Sequence, residues 1–312
     1  MKHKTILTTT SSYGASDPAP FEKMQRLGLN VILNPYGRKL TEKEVQTFLE
    51  EHRPVGLIAG VEPLTERVMQ NTPSLKVISR CGIGLDSVDL EAAKSLGITV
   101  INTPDAPTIP VAELTMGMIL GLLRKIHVSE AGIREGRWER PMGTLLHGKT
   151  VGIIGCGRIG TRLARTLQGF DCTVLGFDPA ISDCSYCKLV DLYNVFATSD
   201  IISLHLPYCG QTHYFINADR LASMKKGAYL VNAARGGLVD EDALFQALNT
   251  GHLAGAALDC FEQEPYQGPL KELKNVLLTA HIGSYAREGR IMMEAQAMKN
   301  LIQELKNRGI LP

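Results

Sequence analysis

Three side chains in this sequence have the types and the placement to work together on one small molecule: Arg235, Glu264 and His281. Each follows a short apolar run: Tyr229 to Ala234, Gly255 to Leu258, and Val276 to Thr279. An arginine after a buried strand can grip a carboxylate through two parallel hydrogen bonds and polarise a neighbouring carbonyl. A histidine can give a proton to a ketone as it accepts hydride, and take it back in reverse. A carboxylate bonded to that histidine fixes its tautomer and favours the imidazolium. Each group also has a plainer reading: a surface cation, a turn acid before Pro265, a helix cap. Their common placement past strand ends favours joint chemistry, reversible hydride transfer between a nicotinamide and a 2-hydroxy acid.

The redox partner for such chemistry is legible in Gly148 to Pro179, GKTVGIIGCGRIGTRLARTLQGFDCTVLGFDP. Val151 to Ile154 reads as a buried strand, Gly155-Cys156-Gly157-Arg158-Ile159-Gly160 as a turn, and Leu163, Leu167 and Phe170 as one helix face. Thr173 to Phe177 reads as a second strand, ending on Asp178. Gly155 allows the tight turn, Gly157 lets backbone approach a pyrophosphate, and Gly160 lets the helix pack on the strand. The helix N-terminus offers N–H groups to phosphate. Asp178 can accept from both ribose hydroxyls and would repel a 2′-phosphate, so NAD is expected rather than NADP.

The elements that must position these groups alternate regularly. Before residue 103, strands are expected at Thr5–Thr8, Val31–Leu33, Val55–Gly60, Val77–Ser79 and Val100–Asn102. Helices are expected at Pro20–Leu27, from a capping box at Thr41 and Glu44, and at Thr65–Asn71. A proline-rich crossing at residues 102–110 leads to one long helix from Val111 to about His127. Residues 131–149, with Trp138, are expected to form a protruding arm. Asp200–Pro207, Tyr229–Gly237, Gly255–Asp259 and Val276–Thr279 complete the strands. This βα rhythm predicts an α/β fold with two doubly wound parallel-sheet domains, one a Rossmann dinucleotide-binding domain and the other flavodoxin-like. The cofactor domain is expected over 103–283. The substrate domain is expected over 1–102 plus 284–312, completed by a C-terminal helix whose face carries Ile291, Ala295, Met298 and Ile302. Gly82 and Gly84, in Arg80-Cys81-Gly82-Ile83-Gly84-Leu85-Asp86, allow either an anion-holding backbone nest or a plain βα turn.

Composition narrows the class. The chain has 312 residues, 44% apolar and 21% charged, with a formal net charge of +1. That suits a soluble globular protein and gives no general surface for nucleic acid or anionic membrane. No apolar run is long enough to span a bilayer, and Met1 to Leu7 is too short for a signal-peptide core. Seven cysteines without a secretory signal read as reduced thiols in a cytoplasm. Cys184 and Cys187 form a C-x-x-C with no second pair at zinc spacing, so an exposed loop is expected there and no metal.

From about residue 55 to 300 the sequence resembles the D-isomer-specific 2-hydroxyacid dehydrogenases, most closely their phosphoglycerate dehydrogenase branch. The resemblance is carried by Ser79 to Asp86, Val111 to Thr115, Gly155 to Gly160, Asn232 to Gly237, Ala256 to Asp259 with Glu264-Pro265, and His281-Ile282-Gly283. It implies Arg235 as substrate-binding and catalytic, His281 as acid/base and Glu264 as its partner. It implies cofactor contacts from Arg158, Ile159, Asp178, Leu206, Pro207, Ala233, Ala234, Arg235, Asp259, His281 and Gly283. The substrate carboxylate is implied at Arg80, Gly82 and Ile83, and a homodimer joined through the cofactor domains, with the arm near Trp138 involved.

Two departures bear on the substrate. Phosphoglycerate dehydrogenases usually carry an arginine after the third strand; here Ala59-Gly60-Val61-Glu62 offers no cation. The chain stops at Pro312, so the C-terminal regulatory domain of longer relatives, and feedback by serine through it, are not expected. The expected function is hydride transfer between NAD(H) and a D-2-hydroxy acid/2-oxo acid pair, with 3-phosphoglycerate/phosphohydroxypyruvate as the candidate pair. The alternatives are a reductase of glyoxylate, hydroxypyruvate or another 2-oxo acid, and an NAD-sensing binding protein like the C-terminal-binding corepressors.

Overall fold

The computed structural model describes residues 4–312; Met1, Lys2 and His3, part of the N-terminal stretch read above, lie outside the described residues. The first strands and helices are β1 (Thr5–Thr8), α1 (Ala19–Arg26), β2 (Asn30–Ile32), α2 (Glu42–His52), β3 (Gly56–Ala59), α3 (Glu66–Gln70), β4 (Val77–Arg80), α4 (Leu90–Ser95) and β5 (Thr99–Ile101). There follow α5 (Thr108–Leu123), α6 (Ile126–Arg134), β6 (Thr150–Ile154), α7 (Arg158–Leu167), β7 (Thr173–Phe177), β8 (Lys188–Leu189), α8 (Leu192–Thr198) and β9 (Ile201–Leu204). The chain ends with α9 (Ala218–Ser223), β10 (Tyr229–Asn232), α10 (Glu241–Asn249), β11 (Gly255–Leu258), β12 (Val276–Leu278) and α11 (Arg287–Asn307).

These elements divide into two units, Met1–Pro107 with Ser284–Pro312, and Thr108–Gly283. The first holds a parallel sheet in the order β2-β1-β3-β4-β5, the flavodoxin-like arrangement. The second holds a seven-stranded parallel sheet, β12-β11-β10-β9-β6-β7-β8, a Rossmann order extended by one strand. Its direction reverses between β6 and β9, the switch point at whose carboxyl end such sheets bind ligands.

The inner strands are buried on both faces, and their period of two sends alternate residues into separate cores. In the second unit Ile154, Ile202, Leu204, Leu230 and Leu258 enter one core, and Val151, Ile153, Ile201 and Val231 the other. In the first, Leu7, Leu57 and Ile78 face one way and Ile6, Ile58 and Val77 the other. The capping box at Thr41 and Glu44 is present: each side chain bonds the other's backbone N–H.

Two helical expectations are corrected. The helix expected from Val111 to His127 is two helices, because Lys125 turns left-handed (φ 52°). The Leu123 carbonyl is then taken by the Thr144 N–H at 2.9 Å, instead of continuing a helical ladder. In α11 the buried line is Met293, Ala297, Leu301 and Leu305, with Met298 and Ile302 beside it, while Ile291 and Ala295 are only half-buried. The face is turned because it also buries Arg290 and Glu294, which bond each other at 2.9 Å; Glu294 further accepts from the Gly14 N–H at 2.8 Å.

Candidate active site

The cofactor cradle is built at the end of β6. Gly155 has φ +95°, and a Cβ there would lie 2.6 Å from the His205 carbonyl oxygen, so only glycine lets β6 and the segment after β9 run side by side. At Gly160 an added Cβ would collide with the Gly155 carbonyl, which seats α7 on the turn. Gly157 differs: a Cβ would meet nothing within 4 Å, so its face is open to a ligand. Gly157 caps α7, and no acidic side chain occupies that helix's own first turn, where the positive end of the helix dipole lies beside Arg158 and Ile159.

Asp178 follows β7 and reaches back to the turn. Its carboxylate accepts from the Cys156 N–H and the Ala180 N–H, each at 2.9 Å. Two bonds leave a carboxylate capacity for ribose hydroxyls. Leu206 and Pro207 follow β9 next to the Gly155 turn, where the Thr212 hydroxyl holds the Pro207 carbonyl at 2.8 Å. An open glycine at a helix N-terminus, with a carboxylate fixed beside it, fits a dinucleotide.

The reactive side chains stand at the carboxyl ends of three adjacent strands, β10, β11 and β12. Fully buried Asn232, the last residue of β10, ties the turn: its amide donates to the Arg235 carbonyl at 2.8 Å and accepts from the Ala234 N–H at 3.1 Å. The Arg235 guanidinium is half-buried and donates to the Ala234 carbonyl at 2.7 Å. After β11, Asp259 is fully buried. It accepts from the Thr279 hydroxyl at 2.6 Å and from the Ile282 and Gly283 N–H groups at 2.8 Å. Asp259 and buried Gly283 thus clamp the loop after β12.

That clamp carries His281, whose backbone is left-handed at φ 52°. Outside glycine this conformation is uncommon, and histidine, asparagine and aspartate are the side chains that adopt it most readily. The His281 Nδ1–H donates to Glu264, with the two carboxylate oxygens at 2.9 and 3.0 Å. Glu264 is held in turn by the Phe261 N–H at 3.2 Å. An ionised carboxylate only accepts, so Nδ1 carries the hydrogen and Nε2 is the nitrogen available for proton transfer.

The remaining expected contacts, Arg80, Gly82 and Ile83, belong to the first unit. Arg80 is 9% exposed and donates to the Cys81 carbonyl. The Gly82 N–H, which one of the two readings of this turn offered to an anion, is already satisfied by the Thr103 hydroxyl at 2.8 Å, and Asn102 holds the Ile83 carbonyl at 2.8 Å. Glu62 is buried after β3, accepting from the Gly60 N–H at 3.1 Å and from the Thr9 hydroxyl. Burial pushes its carboxyl above the usual range, against the pull of these bonds and of the Arg80 charge. Neither the Asn232 tie nor the Asp259 clamp was read from sequence; both are polar residues at the ends of apolar strands, and that was the available signal.

Residues 116–283 match the family model described as "D-isomer specific 2-hydroxyacid dehydrogenase, NAD binding domain". A D-3-phosphoglycerate dehydrogenase of Synechocystis is 38% identical over 259 residues, which are 81% of this chain and 47% of that protein. The chain spans about half the length of the phosphoglycerate dehydrogenases it matches. A hydroxypyruvate reductase of Thermotoga maritima is 36% identical over 297 residues, 93% of this chain and 97% of its own. The crystal structure of a D-lactate dehydrogenase from Aquifex aeolicus, complexed with NAD and lactic acid, superposes with a TM-score of 0.84 at 29% identity, covering 98% of this chain and 96% of that one.

Proposed function

Because the chain belongs to the D-isomer-specific 2-hydroxyacid dehydrogenase family, we propose that it interconverts a D-2-hydroxy acid and its 2-oxo acid. When bound, NAD supplies or accepts the hydride. The observation that carries this reading is the Glu264–His281 pair at 2.9 Å, on the strand-end edge that also bears Arg235.

Arg235 grips the substrate carboxylate and polarises its neighbouring carbonyl. His281 gives a proton from Nε2 to the carbonyl oxygen during reduction and takes it back during oxidation. Glu264 fixes the ring's tautomer and angle and offsets its positive charge. Asn232 and Asp259 act through the backbone: one sets the turn of Arg235, the other the loop of His281. Gly157, the first turn of α7 and Asp178 hold the pyrophosphate and adenosine ribose, with NAD preferred over NADP because Asp178 opposes a 2′-phosphate.

Among substrates, an unphosphorylated 2-oxo acid such as hydroxypyruvate or glyoxylate is favoured over phosphohydroxypyruvate. The loop after β3 holds a buried carboxylate, Glu62, in place of a cation. A homodimer through the cofactor domains belongs to the same reading, supported by the exposure of Trp138 (84%) and Met142 (85%) between α6 and β6; sedimentation of a Trp138→Ala variant tests it.

The function is tested by NADH oxidation across a series of 2-oxo acids, with hydroxypyruvate beside phosphohydroxypyruvate. Turnover preferring the unphosphorylated acid is expected. NADH binding without turnover of any 2-oxo acid would favour the NAD-sensing alternative.

A further inference from the structure

Beside the Glu264–His281 pair lies a thiol that hydride transfer does not use. The Sγ of Cys260, a nitrogen of His281 and a carboxylate oxygen of Glu264 all lie within 4.8 Å of one another. We propose that Cys260, Glu264 and His281 form a site for a zinc-class divalent cation, which captures the acid–base pair and switches the enzyme off while bound.

The donor set selects the ion. Sulfur, imidazole nitrogen and carboxylate oxygen together suit zinc, whereas calcium and magnesium require oxygen donors. Three protein donors leave a fourth position open, the usual form of a zinc site that retains water. Zinc bonds of about 2.0–2.3 Å set ligand atoms about 3.5 Å apart, so the Cys260 sulfur needs to close in by at most about 1.3 Å.

The framework is already in place. Asp259, next to Cys260, accepts the amides of Ile282 and Gly283, next to His281, so the loops bearing sulfur and nitrogen are pinned together. The Phe261 N–H holds Glu264. The thiol is 2% exposed and its sulfur donates to the Ala234 carbonyl at 3.5 Å, on the turn leading to Arg235. The His281 and Glu264 side chains are 38% and 31% exposed, which gives the ion a route from solvent.

Binding is ligand exchange without redox change. The Cys260 thiol releases its proton to water as the sulfur–metal bond forms, and the His281–Glu264 hydrogen bond breaks as imidazole and carboxylate turn to the ion, the ring's one hydrogen ending on the nitrogen that does not bond the metal, by rotation of the ring or by exchange through water. His281 can then neither give nor take a proton. That inhibitory consequence rests on the acid–base reading above; the binding itself does not.

Cobalt(II) is the probe, because a thiolate ligand adds a charge-transfer band that oxygen and nitrogen ligands lack. The titration uses the full chain carrying Cys184→Ser and Cys187→Ser, which breaks up the other thiol group, where the Cys156 and Cys187 sulfurs are 3.9 Å apart. One cobalt ion per chain, a thiolate band and displacement by zinc are expected. Adding Cys260→Ser should abolish the band and weaken binding by at least about tenfold, and His281→Ala should weaken it comparably without touching a buried residue. A band that survives Cys260→Ser, or cobalt binding with no thiolate band, overturns the site. Turnover is read separately: cobalt bound through Cys260 with undiminished NADH oxidation would leave the site standing and remove the acid–base role of His281.

Discussion

Replacing Gly157 by alanine adds one methyl group where the cradle is open, and replacing Gly155 adds the same group where it is closed. The backbone at Gly157 (φ −70°, ψ −159°) suits any residue, and an added Cβ meets nothing within 4 Å. Folding stability of Gly157→Ala should therefore stay within about 0.5 kcal/mol of wild type. The methyl group instead stands where the pyrophosphate must approach. Loss of one charge-assisted hydrogen bond there costs roughly 1.5–3 kcal/mol, a dissociation constant for NADH weakened roughly 10- to 150-fold. Gly155→Ala meets two obstacles, φ +95° and a contact of 2.6 Å with the His205 carbonyl oxygen. The left-handed backbone alone costs about 1–2 kcal/mol, and the contact adds to it. Denaturant unfolding and NADH fluorescence titration on both variants give the two numbers. Gly157→Ala binding NADH as tightly as wild type would refute the assignment of the pyrophosphate to this turn. Gly155→Ala with wild-type stability would refute the packing on which the cradle rests.

Three further outcomes are expected. Asp178→Ala removes the charge that opposes a 2′-phosphate, so the ratio of kcat/KM for NADH over NADPH should fall by at least about tenfold; an unchanged ratio counts against its ribose role. Glu264→Gln keeps the shape but loses the charge. With both side chains about one third exposed, screening holds the loss in kcat to roughly ten- to thirtyfold, and wild-type kcat would remove Glu264 from the mechanism. His205 is half-buried, with Nε2 2.9 Å from the Ser203 hydroxyl and Nδ1 shielded from solvent, and desolvation of the ring pushes its pKa down to about 4. Between about pH 6.5 and 4 the unfolded chain then takes up a proton that the folded chain refuses, so stability falls as pH falls, by up to about 1.4 kcal/mol per pH unit. His205→Asn should flatten that slope in urea titrations at successive pH values; an identical slope would show that His205 is not its source.

What was legible in the sequence was local in the chain. Strand, glycine turn, helix, strand and acid lie within residues 150–178, so the cradle reads directly, and βα alternation gave both sheets. Arg235, Glu264 and His281 announced themselves by polarity after apolar runs. What was hidden depends on distant residues. The break after Leu123 comes with a left-handed Lys125 and a Leu123 carbonyl taken by distant Thr144, and no pattern within 111–127 signals it. The turned face of α11 buries Arg290 and Glu294, which hydropathy assigns to solvent and only their pairing reconciles with burial. The Asp259 clamp reaches 23 and 24 residues ahead, and Glu62 is buried by bonds to a strand end 53 residues away. Helices α8, α9 and α10 were not read individually, although Asp191, Asn217 and Asp240 each cap one through a side-chain oxygen.

The central claim is that Arg235 and His281 carry out the chemistry while the glycine turn and Asp178 anchor the cofactor. Stopped-flow oxidation of bound NADH by a 2-oxo acid, compared between wild type, Arg235→Ala and His281→Ala, tests it most directly. A loss of roughly 10²- to 10⁴-fold in the hydride-transfer rate of each variant is expected, with NADH still bound. Wild-type transfer rates in either variant would contradict it.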